Sequence, residues 1–205
     1  MSTKAIFIES GHGVNGIFNR KDTGATAKFG GNIYYERVFT VELGRRVLAI
    51  LKTKPELKGI LIQGVGIETE ATIQKKMYFV NHVIIENQYK PSECLGVAIH
   101  MNSLPGSTAS GFEVWCQKNH KSDALGEALV RSWGEYKITP LRPSPLNNNK
   151  DGRYGRFYTD DAYCPYVIIE TSFISNLKDL NAIMTQWDRA AEAIAHGILE
   201  FLRGL

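Results

Sequence analysis

Short apolar runs that alternate with longer amphipathic segments are the feature that most constrains the fold of this chain. The apolar runs lie at residues 5–8, 60–62, 95–99 and 166–169. The amphipathic segments lie at 35–52, 69–87, 122–136 and 185–203. Short apolar runs are typical of buried strands, and apolar side chains repeated every three to four residues are typical of one helix face. The alternation therefore predicts an α/β sandwich, with helices flanking a largely parallel or mixed central sheet.

Two segments fit this pattern less directly. Residues 111–116 alternate apolar and polar side chains, which predicts an outer or half-exposed strand. Residues 139–163 hold three of the seven prolines, which predicts a long loop. Ser122 is the expected N-cap of the third helix, a short helix is expected after Asn176, and Gly204 is expected to end the last helix.

Composition indicates one globular domain. The chain has 205 residues, 43% of them hydrophobic and 22% charged, which excludes a disordered, collagen-like or coiled-coil chain. Its net charge of +3 is too small to indicate nucleic-acid binding. Its three widely spaced cysteines form no metal or disulfide pattern, so we expect reduced core thiols. No apolar run reaches the ~18 residues of a membrane span, and the opening MSTKAIFIES turns polar too early for a signal peptide, so we expect cytoplasmic synthesis.

Polar side chains converge on one edge of the predicted sheet. His12 follows the first strand, and His100 and Glu170 end two others. The carboxyl ends of parallel strands meet at one edge, where ligands bind in such sheets, so we expect these three side chains to lie together. Glu36 lies two helical turns before Leu43 on the apolar face of the first predicted helix, so its carboxylate is expected to point toward the core.

His12, Glu36 and His100 supply the nitrogen and oxygen donors that hold a catalytic zinc ion and leave a fourth position open for water. A cation would also compensate the buried carboxylate of Glu36. Gly11 and Gly13 flank His12 and remove side-chain bulk where the backbone must turn beside a metal.

Other interpretations stay open from these residues alone. The two histidines could be ordinary polar residues at strand ends, and Glu36 could stabilise the N-terminus of its own helix. Glu170 could be half of a structural ion pair. The other histidines, at 82, 120 and 196, lie in predicted helices or loops without converging partners.

Four motifs occur in order along the chain. They are Ser-Gly-His-Gly at 10–13, Ala-Ile-His-Met-Asn-Ser at 98–103, Gly-Phe-Glu-Val at 111–114 and Ile-Glu-Thr-Ser-Phe-Ile-Ser-Asn at 169–176. Glu36 opens a helix between the first two. Together these features resemble the zinc-dependent N-acetylmuramoyl-L-alanine amidases of the Amidase_3 type, over almost the whole chain.

The resemblance implies one Zn²⁺ per chain, bound by His12, Glu36 and His100, with Glu170 as the catalytic carboxylate. It implies hydrolysis of the amide between the lactyl group of N-acetylmuramic acid and the L-alanine of the peptide stem, with peptidoglycan as the partner. The chain departs from the family at 9–10, where Glu-Ser replaces the common Asp-Pro, and at 63–64, where Gln-Gly replaces the common Thr-Arg. These departures affect the surroundings of the site and remove none of its implied ligands.

Candidate substrate contacts lie near the same edge. Asn102 follows His100 by two positions, and Arg153, Tyr154 and Arg156 lie in the predicted loop before the strand that carries Glu170. These side chains could hold glycan or stem peptide, and Asn102 could instead orient the neighbouring ligand. A solvated loop with incidental charges is the alternative explanation for the residues at 153–156.

Two other functions are compatible with the sequence. One is another zinc hydrolase of related fold, such as a carboxypeptidase or an N-formylglutamate amidohydrolase-like enzyme, although the HxxE spacing of the carboxypeptidases is missing. The other is a non-catalytic protein that binds the cell wall. We expect a single catalytic domain over residues 1–205 without a separate wall-binding module. A phage endolysin released to the wall at lysis and the catalytic domain of a bacterial autolysin both fit, and the oligomeric state is left open.

Overall fold

The computed structural model describes residues 3–12, 23–67, 73–118, 121–148 and 158–204. The strands in these ranges are β1 (Ala5–Ser10), β2 (Thr26–Phe29), β3 (Asn32–Tyr35), β4 (Leu61–Val65), β5 (Cys94–Asn102), β6 (Phe112–Cys116), β7 (Leu141–Asn148) and β8 (Tyr166–Phe173). The helices are α1 (Glu36–Lys52), α2 (Ile73–Glu86), α3 (Asp123–Tyr136), α4 (Leu177–Thr185) and α5 (Trp187–Arg203). Short 3-10 helices precede β4, β5 and β8.

Six of the strands form one mixed sheet in the order β4-β1-β5-β8-β6-β7. Neighbouring strands are parallel except for β6 and β8, which are antiparallel. Helices α1, α3 and α5 pack on one face of the sheet, and α2 packs on the other. Because both faces are covered, β1 is buried along its whole length. The predicted α/β sandwich is confirmed.

Two predictions for the far end of the sheet are wrong. β6 lies between β8 and β7 and not at the edge, and four of its five side chains are buried. The edge strand is β7, inside the segment 139–163 that the sequence predicts as a loop. Pro143 and Pro145 cannot donate a backbone hydrogen bond, but an edge strand needs a partner on one side only, so it tolerates proline. Residues 149–157 of that segment lie outside the described residues.

A two-residue turn connects β2 and β3 into a hairpin that the sequence patterns above do not predict. The turn is formed by Gly30 and Gly31, whose φ angles are 55° and 83°. A tight hairpin turn of this kind requires positive φ at both positions, which glycine adopts without steric cost. The backbone amide of Glu36 donates to the carbonyl of Ala25 at 2.9 Å, so the hairpin is attached to the first turn of α1.

The helix ends follow the sequence predictions with one difference. Asn176 caps α4, since its Oδ1 accepts hydrogen bonds from two backbone amides of the first turn. Ser122 precedes α3 as predicted, but its hydroxyl accepts from the backbone amide of Gln117 and makes no capping bond. α5 ends at Gly204 in the left-handed conformation, with φ 75°.

None of the helices in the described ranges is long and apolar enough to cross a bilayer.

The cysteines are free and buried, as predicted. Burial raises the pKa of the Cys94 thiol to about 11 and that of the Cys116 thiol to about 12. Burial also raises the pKa of Cys164, well above its usual range. The thiolate is the reactive form of cysteine, so these side chains are protonated and unreactive near neutral pH.

We predict that the native protein does not react with a chromogenic disulfide reagent at about pH 8. After denaturation in guanidinium, all three thiols of the chain should react. The measurement is the absorbance of the released reagent anion before and after denaturation. Rapid labelling of any of the three in the native protein would contradict the buried, neutral state.

Candidate metal centre

Glu36 lies between His12 and His100, with one carboxylate oxygen near each imidazole. Its Oε2 is 3.3 Å from Nε2 of His12, and its Oε1 is 3.2 Å from Nδ1 of His100. The two imidazole rings meet edge to face, with centroids 5.1 Å apart. One donor atom from each of the three side chains lies within 4.8 Å of the others. The structure thus brings together the three side chains that the sequence analysis proposes as ligands.

The Glu36 carboxylate is held in place by the backbone as well as by the imidazoles. Glu36 is the first residue of α1, and only 3% of its surface is exposed. The backbone amide of Ala25 donates to its Oε2 at 2.8 Å, and the amide of Met101 donates to its Oε1 at 2.9 Å. Burial alone would raise the pKa of Glu36, but the hydrogen bonds and charges of His100 and His12 outweigh it and hold the pKa well below its usual range. The carboxylate is therefore ionised.

Two glycines make room for the imidazoles. A Cβ on Gly11 would lie 2.4 Å from Cε1 and Nε2 of His100. A Cβ on Gly24 would lie 2.5 Å from Cδ2 of His12 and 2.6 Å from Oε2 of Glu36. Gly11 is predicted in a sharp backbone turn, and in the structure its lack of a side chain also lets the His100 ring pack against the backbone. Gly13 lies outside the described residues.

Glu170 lies beside His100 in the sheet. The two residues are register partners in the parallel pair of β5 and β8, and Glu113 is the partner of Glu170 on β6. Both strands continue past these positions, so His100 and Glu170 do not end their strands as the sequence predicts. Burial raises the pKa of Glu170 well above its usual range, and the nearby charges of Glu36 and Glu113 raise it further. Its Oε2 is buried and accepts no hydrogen bond within the described part of the chain.

Glu113 belongs to the Gly-Phe-Glu-Val motif at 111–114, and its place at the site is not predicted from the sequence. Its side chain is buried next to Glu170, and its oxygens are near four donors. Those donors are Nδ2 of Asn102 at 2.7 Å, Nε1 of Trp115 at 3.3 Å, Nδ2 of Asn147 at 3.3 Å and Nε of Arg142 at 3.4 Å. The signal in the sequence is an acidic residue among apolar ones in a strand, and two of its four donors, Arg142 and Asn147, come from β7, a strand that the sequence does not predict.

The predicted substrate contacts have different outcomes. Asn102 donates to Glu113 and accepts from the backbone amide of Ser103 at 2.9 Å, so both ends of its amide are engaged within the protein. Its contacts indicate that it orients Glu113. Arg153, Tyr154 and Arg156 lie outside the described residues, and their role stays a prediction.

The donor set fits a catalytic zinc ion. Two imidazoles and one ionised carboxylate are ligands that zinc takes in such sites, and three protein ligands leave a position for water or substrate. The two glycines allow the imidazoles to approach each other, and the backbone bonds to Glu36 fix the carboxylate between them. The carboxylate carries the negative charge that a divalent cation would compensate.

One further group of potential ligands occurs within the described ranges. Glu135 on α3 lies near His196 and Glu200 on α5, with donor atoms within 4.8 Å of one another. The prediction that His196 has no converging partners is therefore wrong. Nε of Arg131 lies 3.5 Å from Oε2 of Glu200, so a cationic side chain already compensates this group.

Comparisons with known proteins show the family and agree with the fold. A family model described as N-acetylmuramoyl-L-alanine amidase, Amidase_3, matches residues 6–200. No curated protein has a significantly similar sequence.

Several solved structures have the same fold. An N-acetylmuramoyl-L-alanine amidase from Clostridium difficile is 20% identical, with a TM-score of 0.75 over 99% of this chain and 98% of that one. The amidase AmiC2 of Nostoc punctiforme is 23% identical, with a TM-score of 0.75 over 99% of both chains. The catalytic domain of the amidase CwlV from Bacillus (Paenibacillus) polymyxa is also 23% identical, with a TM-score of 0.75 over 98% of this chain and 99% of that one.

We predict that Gly11→Ala weakens metal binding about 10- to 100-fold, the range typical when the surroundings of a metal ligand are disturbed. The added methyl group would displace the His100 ring, which lies 2.4 Å from the new Cβ position. The measurement is the zinc dissociation constant from competition with a chromogenic chelator. Gly134→Ala on α3 is the matched control, because its nearest neighbour would be Cδ1 of Leu141 at 3.2 Å. Equal zinc affinity in both variants would contradict the packing argument.

Proposed function

The chain belongs to the Amidase_3 family of N-acetylmuramoyl-L-alanine amidases, and we propose that His12, Glu36 and His100 bind its zinc ion while Glu170 is its catalytic carboxylate. The activity of this family is hydrolysis of the amide between N-acetylmuramic acid and L-alanine in peptidoglycan. The observation that carries the proposal is the convergence of two imidazoles on a buried, ionised carboxylate beside a second carboxylate of raised pKa.

An amide is a poor electrophile and its amine is a poor leaving group, so hydrolysis requires an activated water and a proton for the departing nitrogen. Zinc bound at such a set supplies Lewis acidity that activates water and polarises a carbonyl. Glu36 contributes an anionic ligand whose direction is fixed by the amides of Ala25 and Met101. His12 and His100 contribute imidazole nitrogens on either side of it.

Glu170 is suited to carry a proton between water and the amide nitrogen. Its raised pKa makes the carboxylate a stronger base than an exposed glutamate, and once protonated it is an acid that can donate to an amine. Its buried Oε2 accepts no hydrogen bond from the described residues, so we assign the proton transfer to this atom. Glu113, held by its own donors, adds negative charge that favours the protonated form of Glu170.

The family match favours this activity over the other functions considered from the sequence. A carboxypeptidase or an N-formylglutamate amidohydrolase-like enzyme would need a free carboxylate or a small acyl amino acid as substrate, whereas the matched family acts on peptidoglycan. A non-catalytic wall-binding protein has no use for a carboxylate of raised pKa beside three ligands. The net charge of +3 would support adsorption to an anionic wall, weakened by salt. Cytoplasmic synthesis and release at lysis stay predictions.

We predict that the zinc-loaded chain releases stem peptides with a free amino-terminal L-alanine and creates no new reducing sugar ends. A chelator should abolish this activity, and added zinc should restore it, because Lewis acidity is needed to activate water. The measurement is chemical analysis of digested peptidoglycan before and after metal removal. New reducing ends would indicate glycan cleavage, and full activity in the chelator would exclude a zinc-dependent reaction.

We predict that Glu170→Gln lowers kcat by about 10²- to 10⁴-fold, the usual contribution of a general acid–base group, and still binds zinc. The substitution keeps the shape of the side chain and removes its proton transfer. It also removes a buried carboxyl group that is near two other acids, so the melting temperature should be unchanged or higher. Glu86→Gln, at an exposed position of α2, is the control. Activity of Glu170→Gln equal to that of the control would remove the assigned role.

A further inference from the structure

A lysine is fully buried next to the metal centre. Lys76 lies on α2, on the face that packs against the sheet, and none of its surface is exposed. Its Nζ donates to the backbone carbonyl of Ser10 at 2.5 Å and to that of Gly11 at 2.8 Å. Lysine is seldom buried unless its charge is paired and its donors are used. Two of the three N–H groups of its ammonium therefore donate to consecutive carbonyls in the turn at the end of β1, which comprises residues 10–12.

The charge of Lys76 is paired with Glu9, which is also fully buried. Oε1 of Glu9 lies 3.3 Å from Nζ of Lys76, and Oε2 of Glu9 accepts a hydrogen bond from the hydroxyl of Tyr166 at 2.9 Å. Two glycines make room for these long side chains. A Cβ on Gly66 would lie 2.7 Å from Cε of Lys76, and a Cβ on Gly96 would lie 2.0 Å from the Tyr166 ring.

The carbonyls that accept from Lys76 belong to the two residues before His12. The same turn is fixed from other directions by the amide of Gly11, which donates to Ile99 at 2.9 Å, and by the hydroxyl of Ser10, which donates to the carbonyl of His12 at 2.7 Å. Lys76 therefore holds the side of the turn that faces α2. A rotation of either peptide would redirect the imidazole of His12 away from Glu36.

We propose that Lys76 is a positioning residue for the metal centre: its ammonium group, compensated by Glu9, fixes the backbone of Ser10 and Gly11 and so sets the direction of His12. This inference rests on the proposed metal site. Groups that orient the ligands of a metal ion, without touching the ion, change metal affinity by about 10- to 100-fold when they are removed. A purely structural role would change the melting temperature and leave the metal affinity of the folded protein unchanged.

The test compares the full chain with three variants. Lys76→Met removes the ammonium group and keeps an unbranched side chain. Glu9→Gln/Lys76→Met removes both charges, so that no buried carboxylate is left without its cation. Lys75→Met, at the exposed neighbouring position of α2, is the matched control. For each protein, the zinc dissociation constant is measured by chelator competition, the absorption spectrum of bound Co²⁺ is recorded as a signature of ligand geometry, and thermal unfolding is followed by circular dichroism.

We expect zinc to bind both Lys76 variants about 10- to 100-fold more weakly than the wild type, with an altered Co²⁺ spectrum. The double variant should melt at a higher temperature than Lys76→Met and still bind zinc weakly, which would separate positioning from stability. Lys75→Met should match the wild type in all three measurements.

The inference is wrong if a folded Lys76 variant has the wild-type zinc affinity and Co²⁺ spectrum. It is also wrong if neither Lys76 variant unfolds cooperatively, since Lys76 would then be required for the fold itself. If the wild type binds neither ion, the proposed metal site fails together with this inference, and that result does not depend on any variant.

Discussion

The burial of the Glu36 carboxylate constrains the whole edge of the sheet at which the proposed metal centre lies. An ionised carboxylate in a protein interior is unstable unless hydrogen bonds and positive charge replace its lost hydration. Its hydrogen-bonding partners come from separate parts of the chain. The backbone amides belong to Ala25, before β2, and Met101, near the end of β5. The imidazoles belong to His12, after β1, and His100, within β5. The hairpin, α1 and the central strands are thus fixed relative to one point. In this region the fold and the proposed metal centre therefore depend on the same contacts of Glu36.

The two carboxylates of the site have opposite environments. Glu36 has two amides and two imidazoles as partners, which keep it ionised in spite of its burial. Glu170 is buried beside acidic neighbours, and its Oε2 accepts no hydrogen bond from the residues that the structure describes, so its surroundings raise its pKa and favour the protonated form. Pairs of titratable groups whose surroundings move their pKa values apart are typical of acid–base catalysis. The contrast supports the proposed ligand role of Glu36 and the proposed proton-carrying role of Glu170, although both are glutamates close to His100.

The sequence predicts the parts of the molecule that local pattern determines. The central strands are continuous apolar runs, and Glu36 lies on the apolar face of an amphipathic helix, so its burial follows from spacing alone. β7 is not predicted because an edge strand can be polar and contain prolines, which makes it similar to a loop. Lys76 is missed for another reason. It is 66 residues from Ser10, so no local pattern indicates their contact. Glu113 is visible as an acidic residue among apolar ones, but two of its donors, Arg142 and Asn147, lie on the unpredicted strand β7.

The buried cation beside the proposed metal centre comes from helix α2, since Nζ of Lys76 lies 3.3 Å from Oε1 of Glu9. Stability alone does not require this pair, since apolar side chains of similar volume are often at least as stabilising as a buried ion pair. Apolar side chains cannot orient two adjacent carbonyls, whereas the Lys76 ammonium does. A turn fixed in advance needs little reorganisation when the ligands close on a metal ion, which favours tight binding.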